Sequence, residues 1–576
     1  MFGRPHNDRL FHHRLGGMVL TLVMMLPSLP AQAAKHALLI GISEYREQGT
    51  PSLSGPVNDV RSLREVLVRR WGFPENNVVS LVDRQATGAG IRAELRRLET
   101  RTQPGDTVLL YYSGHGTSKG SMRATTTTET IPEHTGAWIP YDLPRNTGKP
   151  NEQFANLIIG QRDLRPVLER LDRGQRRVYL ISDSCYSGEV FRGGSCGSLG
   201  KDKFSKMDGN VFEEWRTPSN VDLTYPYQNV VFLSASGAGE ISCDLSLNTS
   251  FPTLDGQAHG ALTDTLLRAL DGKLPGADQD DDGQISHDEL FRAVRGFMDQ
   301  RRYPHTPQGH PTVEDGRAAQ LLPMPIFGEG QASPTPPLVQ ADAALRVEVP
   351  GTLAALRGPL SKVPDLSLAG PPFDLKLQAD GREIRILSAA GEEITRLAVD
   401  LPALADTLRH QAWLKRVLAK IPVRKDRRVT IDLSGRQGGS LCQGESYALA
   451  VGTEQPAYLV VLDLFPQGQT SVYYPYTEAE LKRHSAGSVT RFPDDGTRIT
   501  VKCPCGEDIL VALAFPEEPQ AIRKLMGKNA QTIEPGGALR PVLRDLWQEA
   551  EQRAAWSFLR IVTTGQCPRA TSASTP

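Results

Sequence analysis

Tyr111-Tyr112-Ser113-Gly114-His115-Gly116 and Ile181-Ser182-Asp183-Ser184-Cys185-Tyr186-Ser187-Gly188 decide how this chain folds. Each is an apolar run of the kind that forms a buried strand. Each breaks at a turn of small residues carrying one reactive side chain, His115 in the first and Cys185 in the second. A cysteine attacks as the thiolate, so a nucleophilic Cys needs a base or a positive partner beside it and partial exposure. Gly114 and Gly116 let the backbone around His115 come close to another group, and Ser184, Ser187 and Gly188 leave similar room beside Cys185.

Working outward, strand-like runs at 36–42, 78–82, 108–112, 178–182 and 230–234 alternate with helical patterns. Asn58 and Asp59 stand where helix-starting residues belong, ahead of an apolar face of Val60, Leu63, Val66 and Leu67. Further helices are expected at 88–101, 161–172 and 260–270. Such alternation implies an α/β fold built on a doubly wound, mostly parallel sheet, which binds ligands beyond the carboxyl ends of its strands. His115 and Cys185 both fall at such ends. The Gly-, Ser- and Lys-rich stretch 189–228 is expected to be a long loop, and a helix is expected at 288–302.

Ser333-Pro334-Thr335-Pro336-Pro337 marks a linker over 328–344, so a first domain should span 35–327. A small α+β module over 345–425 ends in a helix at 402–420. Short strands separated by Gly, Pro and Asp turns suit a β-sandwich-like domain over 426–565, closed by a helix at 538–558.

At 576 residues the chain is too long for one core. Its formal charge of −1 shows no basic excess, which argues against a nucleic-acid partner. Arg4, Arg9 and Arg14 precede a short apolar run over 15–26, and Ala31-Gln32-Ala33 offers a cleavage site. Residues 1–33 are therefore expected to be a signal peptide and the protein periplasmic or secreted. Cleavage would remove three Arg and Asp8, taking the charge from −1 to −3. No later stretch is long and apolar enough to span a membrane. Seven cysteines in an exported chain leave six besides Cys185. One bridge between Cys196 and Cys243, and two among Cys442, Cys503, Cys505 and Cys567, would suit that number, with the connectivity open.

The two opening motifs, with 70 residues from His115 to Cys185 (185 − 115), resemble those of caspase-like peptidases, specifically the bacterial metacaspases (orthocaspases). Gly55-Pro56-Val57-Asn58-Asp59, Trp138-Ile139-Pro140-Tyr141-Asp142, Val231-Phe232-Leu233-Ser234-Ala235-Ser236 and His259-Gly260-Ala261-Leu262-Thr263 extend the likeness over about 36–300. The resemblance implies a cysteine endopeptidase acting on proteins or peptides, with Cys185 as nucleophile and His115 as general base and acid. It implies an oxyanion hole made by the backbone N–H groups of Gly116 and Cys185. Asp59, Ser113 and Asp183 would line a pocket for Arg or Lys, although Asp59 could instead cap its helix and Asp183 a turn. Lys201, Lys203, Lys206 and Arg216 would offer sites of self-cleavage in the 189–228 loop. A catalytically silent scaffold or binding protein of the cell envelope is the alternative.

No organic cofactor is expected. The acid pair by which many metacaspases bind calcium is missing from Ile159-Gly160-Gln161-Arg162-Asp163-Leu164. The stretch 278–289 instead carries every anchor of an EF-hand-like Ca2+ loop, with Asp278, Asp280, Asp282, Gln284, Ser286 and Glu289 as ligand positions and Gly283 at the sharp turn. Residues 429–560 resemble a β-rich domain of unknown function that follows bacterial caspase-like domains. An envelope component or a peptide is its expected ligand, with an inert structural role as the alternative.

Overall fold

The computed structural model describes residues 33–564 apart from internal stretches, chief among them 119–135, 186–195, 205–224, 329–343 and 420–427. The expected leader and the Pro-rich linker thus lie almost wholly outside the described residues. In chain order the first domain contains β1 (Lys35–Gly41), α1 (Pro56–Arg70), β2 (Val78–Val82), α2 (Gly88–Arg101) and β3 (Thr107–Ser113). A small antiparallel sheet of β4 (Gly116–Ser118), β5 (Gly136–Trp138) and β6 (Ile158–Ile159) follows. Next come α3 (Arg165–Arg173), β7 (Arg177–Asp183), β8 (Gly200–Asp202), β9 (Val230–Ser234), β10 (Cys243–Leu245) and β11 (His259–Gly260). The domain closes with α4 (Ala261–Leu270), α5 (His287–Gln300) and β12 (Gln308–His310).

The central sheet has the order β12-β9-β7-β3-β1-β2 and is parallel except for β12. Its inner strands β1, β3, β7 and β9 are largely buried on both faces, which is why they read as continuous apolar runs, while edge strand β2 is half-buried. Side chains still alternate between the faces. Ala37, Leu39, Leu109, Tyr111, Tyr179 and Ile181 enter one core, with Val60, Leu63 and Leu67 of α1 and Leu262 and Leu266 of α4. Leu38, Ile40, Leu110, Tyr112 and Leu180 enter the other, with Ile91 and Leu95 of α2 and Leu168 of α3. By the same parity Ser113 and Asp183, last residues of β3 and β7, share the α1 face, while Ser182 takes the opposite one and accepts a bond from Trp138 Nε1 at 3.1 Å.

Residues 345–398 contain a five-stranded sheet backed by the helix Leu401–Ala419. Beyond it, a three-stranded sheet (Val429–Leu433, Leu449–Thr453 and Ser488–Phe492) shares an apolar core with a six-stranded one centred on Ala457–Leu464 and Glu507–Phe515. The C-terminal region is therefore β-rich, as expected. The helix expected at 538–558 stops at Arg553, and Ala555–Thr564 is a strand beside Glu507–Phe515. Trp556 and Phe558 face one core while Leu559 and Ile561 face the other. A strand apolar on both faces carries no period-two signal to separate it from a helix. Among the described residues no helix is long and apolar enough to cross a membrane.

The first domain meets the C-terminal sheet through a buried ion triad. Glu507 accepts from Arg560 Nε at 2.7 Å and from Arg302 Nε at 3.1 Å, and Arg560 also donates to the Tyr303 carbonyl at 3.1 Å. Burial alone would raise the Glu507 carboxyl, but the two guanidinium groups hold it below the usual range. Replacing Glu507 by Gln leaves those cations facing a neutral group in a dry interface. We expect a loss of about 3–5 kcal/mol, read as a lower denaturant midpoint by circular dichroism.

Candidate active site

Register brings the two reactive loops together, because Ser113 of β3 lies opposite Asp183 of β7, and His115 and Cys185 each follow by two residues. A Cβ on Gly116 would sit 1.9 Å from the Cys185 carbonyl oxygen, so the approach of these loops requires glycine. Tyr45 and Tyr112 brace the His115 backbone: its N–H donates to Tyr45 Oη at 2.8 Å and its carbonyl accepts from Tyr112 Oη at 2.6 Å. The His115 ring places Nε2 2.8 Å from the Pro51 carbonyl. A carbonyl only accepts, so Nε2 carries the proton and Nδ1 keeps its lone pair. That nitrogen is buried without a hydrogen-bond partner among the described residues. Burial pushes the imidazole down to about 4, so it is neutral at pH 7 with Nδ1 unprotonated.

Cys185 is fully buried, and its sulfur accepts from the Ser242 N–H at 2.9 Å. Burial drives its thiol far above the ordinary range. It is the free cysteine among the described residues. Cys196 bonds to Cys243, as one of the expected pairings has it, and Cys442 is also disulfide-bonded. The thiol and imidazole are thus both neutral in this arrangement.

The cause of that burial corrects one expectation. The 189–228 stretch is not a loop throughout: Gly200–Asp202 forms β8, antiparallel to β10, and Lys203, expected on an exposed loop, is fully buried. Its N–H donates to the Ser242 carbonyl at 2.9 Å, and its own carbonyl accepts from Gly116 N–H at 3.0 Å. The Lys203 ammonium lies 3.0 Å from Asp183 Oδ1, and donates to Ser113 Oγ at 3.0 Å and to the Asp183 carbonyl at 3.2 Å. Asp59 Oδ2 lies 3.7 Å away. Lys201 is exposed and donates to the Ser52 carbonyl, while Lys206 and Arg216 lie outside the described residues.

Asp59, Ser113 and Asp183 therefore come together as the sequence suggested. Asp59 caps nothing: α1 begins at Pro56 after Gly55, and no side chain caps it. Asp59 instead accepts from Ser113 Oγ at 2.6 Å and from His259 Nδ1 at 2.8 Å. Asp183 accepts from Ser242 Oγ at 3.0 Å, and from Thr263 N and Oγ1 at 3.0 and 2.6 Å. Burial opposes ionisation of Asp183, but Lys203 and Thr263 outweigh it and hold the carboxyl low. Burial likewise opposes the Lys203 charge, yet Asp183, Asp59 and Asp244 move it upward. Of the expected oxyanion-hole donors, Gly116 N–H is engaged by the Lys203 carbonyl.

With this geometry stand the comparisons with known proteins. Residues 34–315 match the family model of the caspase domain, Peptidase C14. The likeness to a caspase domain covers 282 of the 576 residues (315 − 34 + 1). Metacaspase-4 of Arabidopsis thaliana is 36% identical over 160 residues, covering 27% of this chain and 34% of that protein. Metacaspase-6 of the same plant is 35% identical over 161 residues, covering 27% and 38%. Metacaspase-1 of Eremothecium gossypii is 38% identical over 162 residues, covering 27% and 32%. The chain thus spans about a third of the length of these relatives. Residues 440–518 match a domain of unknown function, DUF4384.

Sequence reasoning missed Ser242, which touches Cys185, Asp183 and Lys203 at once, because nothing in its neighbourhood marks it. His259, Gly260 and Thr263 of the caspase domain did carry a signal, lying in the His259–Thr263 motif. At the far end of the domain, the expected calcium loop holds itself together. Asp278 Oδ2 accepts from Gly283 N–H at 3.1 Å and Asp282 Oδ1 from Gln284 N–H at 2.7 Å. Glu289 accepts from Ser286 N–H and Oγ, both at 2.8 Å, and lies 3.3 Å from Arg428. Asp280 lies outside the described residues. Among the described residues no group of three or more His, Cys, Asp or Glu side chains is placed to hold a metal.

Gly260 offers a direct check on the seated lysine. A Cβ there would lie 2.2 Å from Lys203 Nζ and 2.0 Å from Asp183 Oδ2. Gly260→Ala should unseat Lys203 without unfolding the sheet. Cleavage after Phe204 by added chymotrypsin should accelerate about tenfold, the shift that about 1.4 kcal/mol of overpacking produces.

Proposed function

We propose that this chain is a cysteine endopeptidase that cuts after Arg or Lys and is held latent by its own Gly200–Phe204 segment. One observation carries the reading: Lys203 occupies the caspase domain as the residue before a scissile bond would. Its backbone extends beside β10, its ammonium sits between Asp183 and Asp59, and its carbonyl rests on Gly116 N–H. A pocket with two buried carboxylates takes a cation and excludes an acidic side chain.

In the reaction His115 Nδ1 takes the Cys185 proton and the sulfur attacks the carbonyl carbon. The oxyanion draws on Gly116 N–H, and the leaving amine receives the proton from His115. Water then hydrolyses the thioester. The neutral resting dyad belongs to the closed state, since withdrawal of residues 200–204 readmits water and relieves the burial behind both pKa shifts. The first bond in line is Lys203–Phe204. The Cys196–Cys243 bridge and the bonded Cys442 support export to an oxidising compartment.

Purified protein should hydrolyse fluorogenic peptides ending in Arg or Lys and spare those ending in Asp, with Cys185→Ala inactive. Mass spectrometry of the incubated protein should find a new N-terminus at Phe204. Hydrolysis after Asp, or an uncut chain with full activity, would overturn the respective half of the proposal.

We also propose weak Ca2+ binding at 278–289, supported by the ligand pattern and by the Gly283 turn, whose φ is +83°. Glu289 would exchange Arg428 for the ion, bracing the end of the domain. Calorimetry at millimolar calcium should show heat that Glu289→Gln abolishes; no heat from the wild type removes the site.

A further inference from the structure

We infer that His259 is a positioning residue that sets the charge of the lysine pocket, an inference that rests on the pocket receiving the substrate's cation. His259 is fully buried, with one ring nitrogen 2.8 Å from Asp59 Oδ1 and the other 2.9 Å from Asp255 Oδ1. Both partners are carboxylates, and an imidazole must be protonated to donate to two of them at once. Burial works against that charge, but Asp59 and Asp255 outweigh it and raise the group to about 9. The charged groups facing this ring are Asp59 on α1 and Asp255 before β11. Lys203, Asp183 and Asp244 lie behind Asp59 across the pocket.

Counting charges shows what the imidazolium does. Asp59 and Asp183 line the pocket, Asp244 lies behind them and Asp255 holds the outer nitrogen of His259, so these four acids outnumber His259 and Lys203 by two. Without Lys203, His259 is the one cation of this group, and one substrate cation restores the balance that the seated lysine gives. Without His259 as well, the acids face one another with no cation among them, and like charges in such a site come to share a proton. A shared proton would remove one of the anions that bind the cation. His259 touches neither the dyad nor the Lys203 ammonium, so it acts through Asp59. The adjacent Gly260 N–H, which donates to Asp59 at 3.1 Å, keeps the carboxylate in place but supplies no full charge.

The test is His259→Asn, which keeps a donor near Nδ1 and removes the charge. In the self-processed enzyme, KM for Arg and Lys peptides should rise about tenfold at pH 7.5, the scale of one lost charge contact in a dry site. It should rise further as pH falls to 5.5, while kcat changes little. His259 in the wild type, followed by NMR of labelled histidine, should stay protonated through pH 8. Hydrolysis with KM unchanged across that range overturns the inference alone, as does a wild-type His259 that titrates below pH 7, a result that stands even if the variant fails to fold. Absence of hydrolysis after Arg or Lys by the wild type overturns the pocket reading and this inference together.

Discussion

The ammonium of Lys203, sealed between Asp183, Asp59 and Ser113, is the interaction on which this arrangement of the site depends. Burying a lone ammonium costs several kcal/mol, and burying two facing carboxylates without a cation costs comparably. Each charge makes the other tolerable. The consequence spreads from the pocket: seating Lys203 aligns β8 against β10, places its carbonyl on Gly116 N–H, and closes water out from Cys185 and His115. The neutral thiol and the low pKa of the imidazole follow from that exclusion of water.

The rest of the domain positions this cluster. Parallel strands β3 and β7 end side by side, and their parity turns Ser113 and Asp183 toward α1. There Asp59 waits on the first turn of a helix anchored by Val60, Leu63 and Leu67 in the same core. Glycines occur where backbone must approach backbone or a charge, at Gly116 against Cys185 and at Gly260 against Asp183. Ser242 and Thr263 complete the Asp183 shell, and the Cys196–Cys243 bridge pins the chain beside β8 to β10.

Most of the first domain was legible because its strands and helices are long and their patterns local. Val230–Ser234 and Gly88–Arg101 fall where periodicity put them. The final strand was not, because Ala555–Thr564 is covered on both faces. Lys203 was misjudged for a related reason: composition in a Gly- and Ser-rich stretch reports average solvation, and a single buried ion pair leaves no trace in it.

By itself the sequence determined the alternation of elements, the placement of His115 and Cys185 at strand ends, and Asp59, Ser113 and Asp183 as one candidate group. Each of these rests on local pattern, on strand parity, or on likeness of short motifs. Only the tertiary structure decided which side chains join Asp59, Ser113 and Asp183 in one buried cluster. Lys203, Ser242 and His259 lie 20, 59 and 76 residues beyond Asp183 (203 − 183, 242 − 183 and 259 − 183). Their roles depend on which charges end up sharing one dry space, and that is a property of packing and not of spacing along the chain.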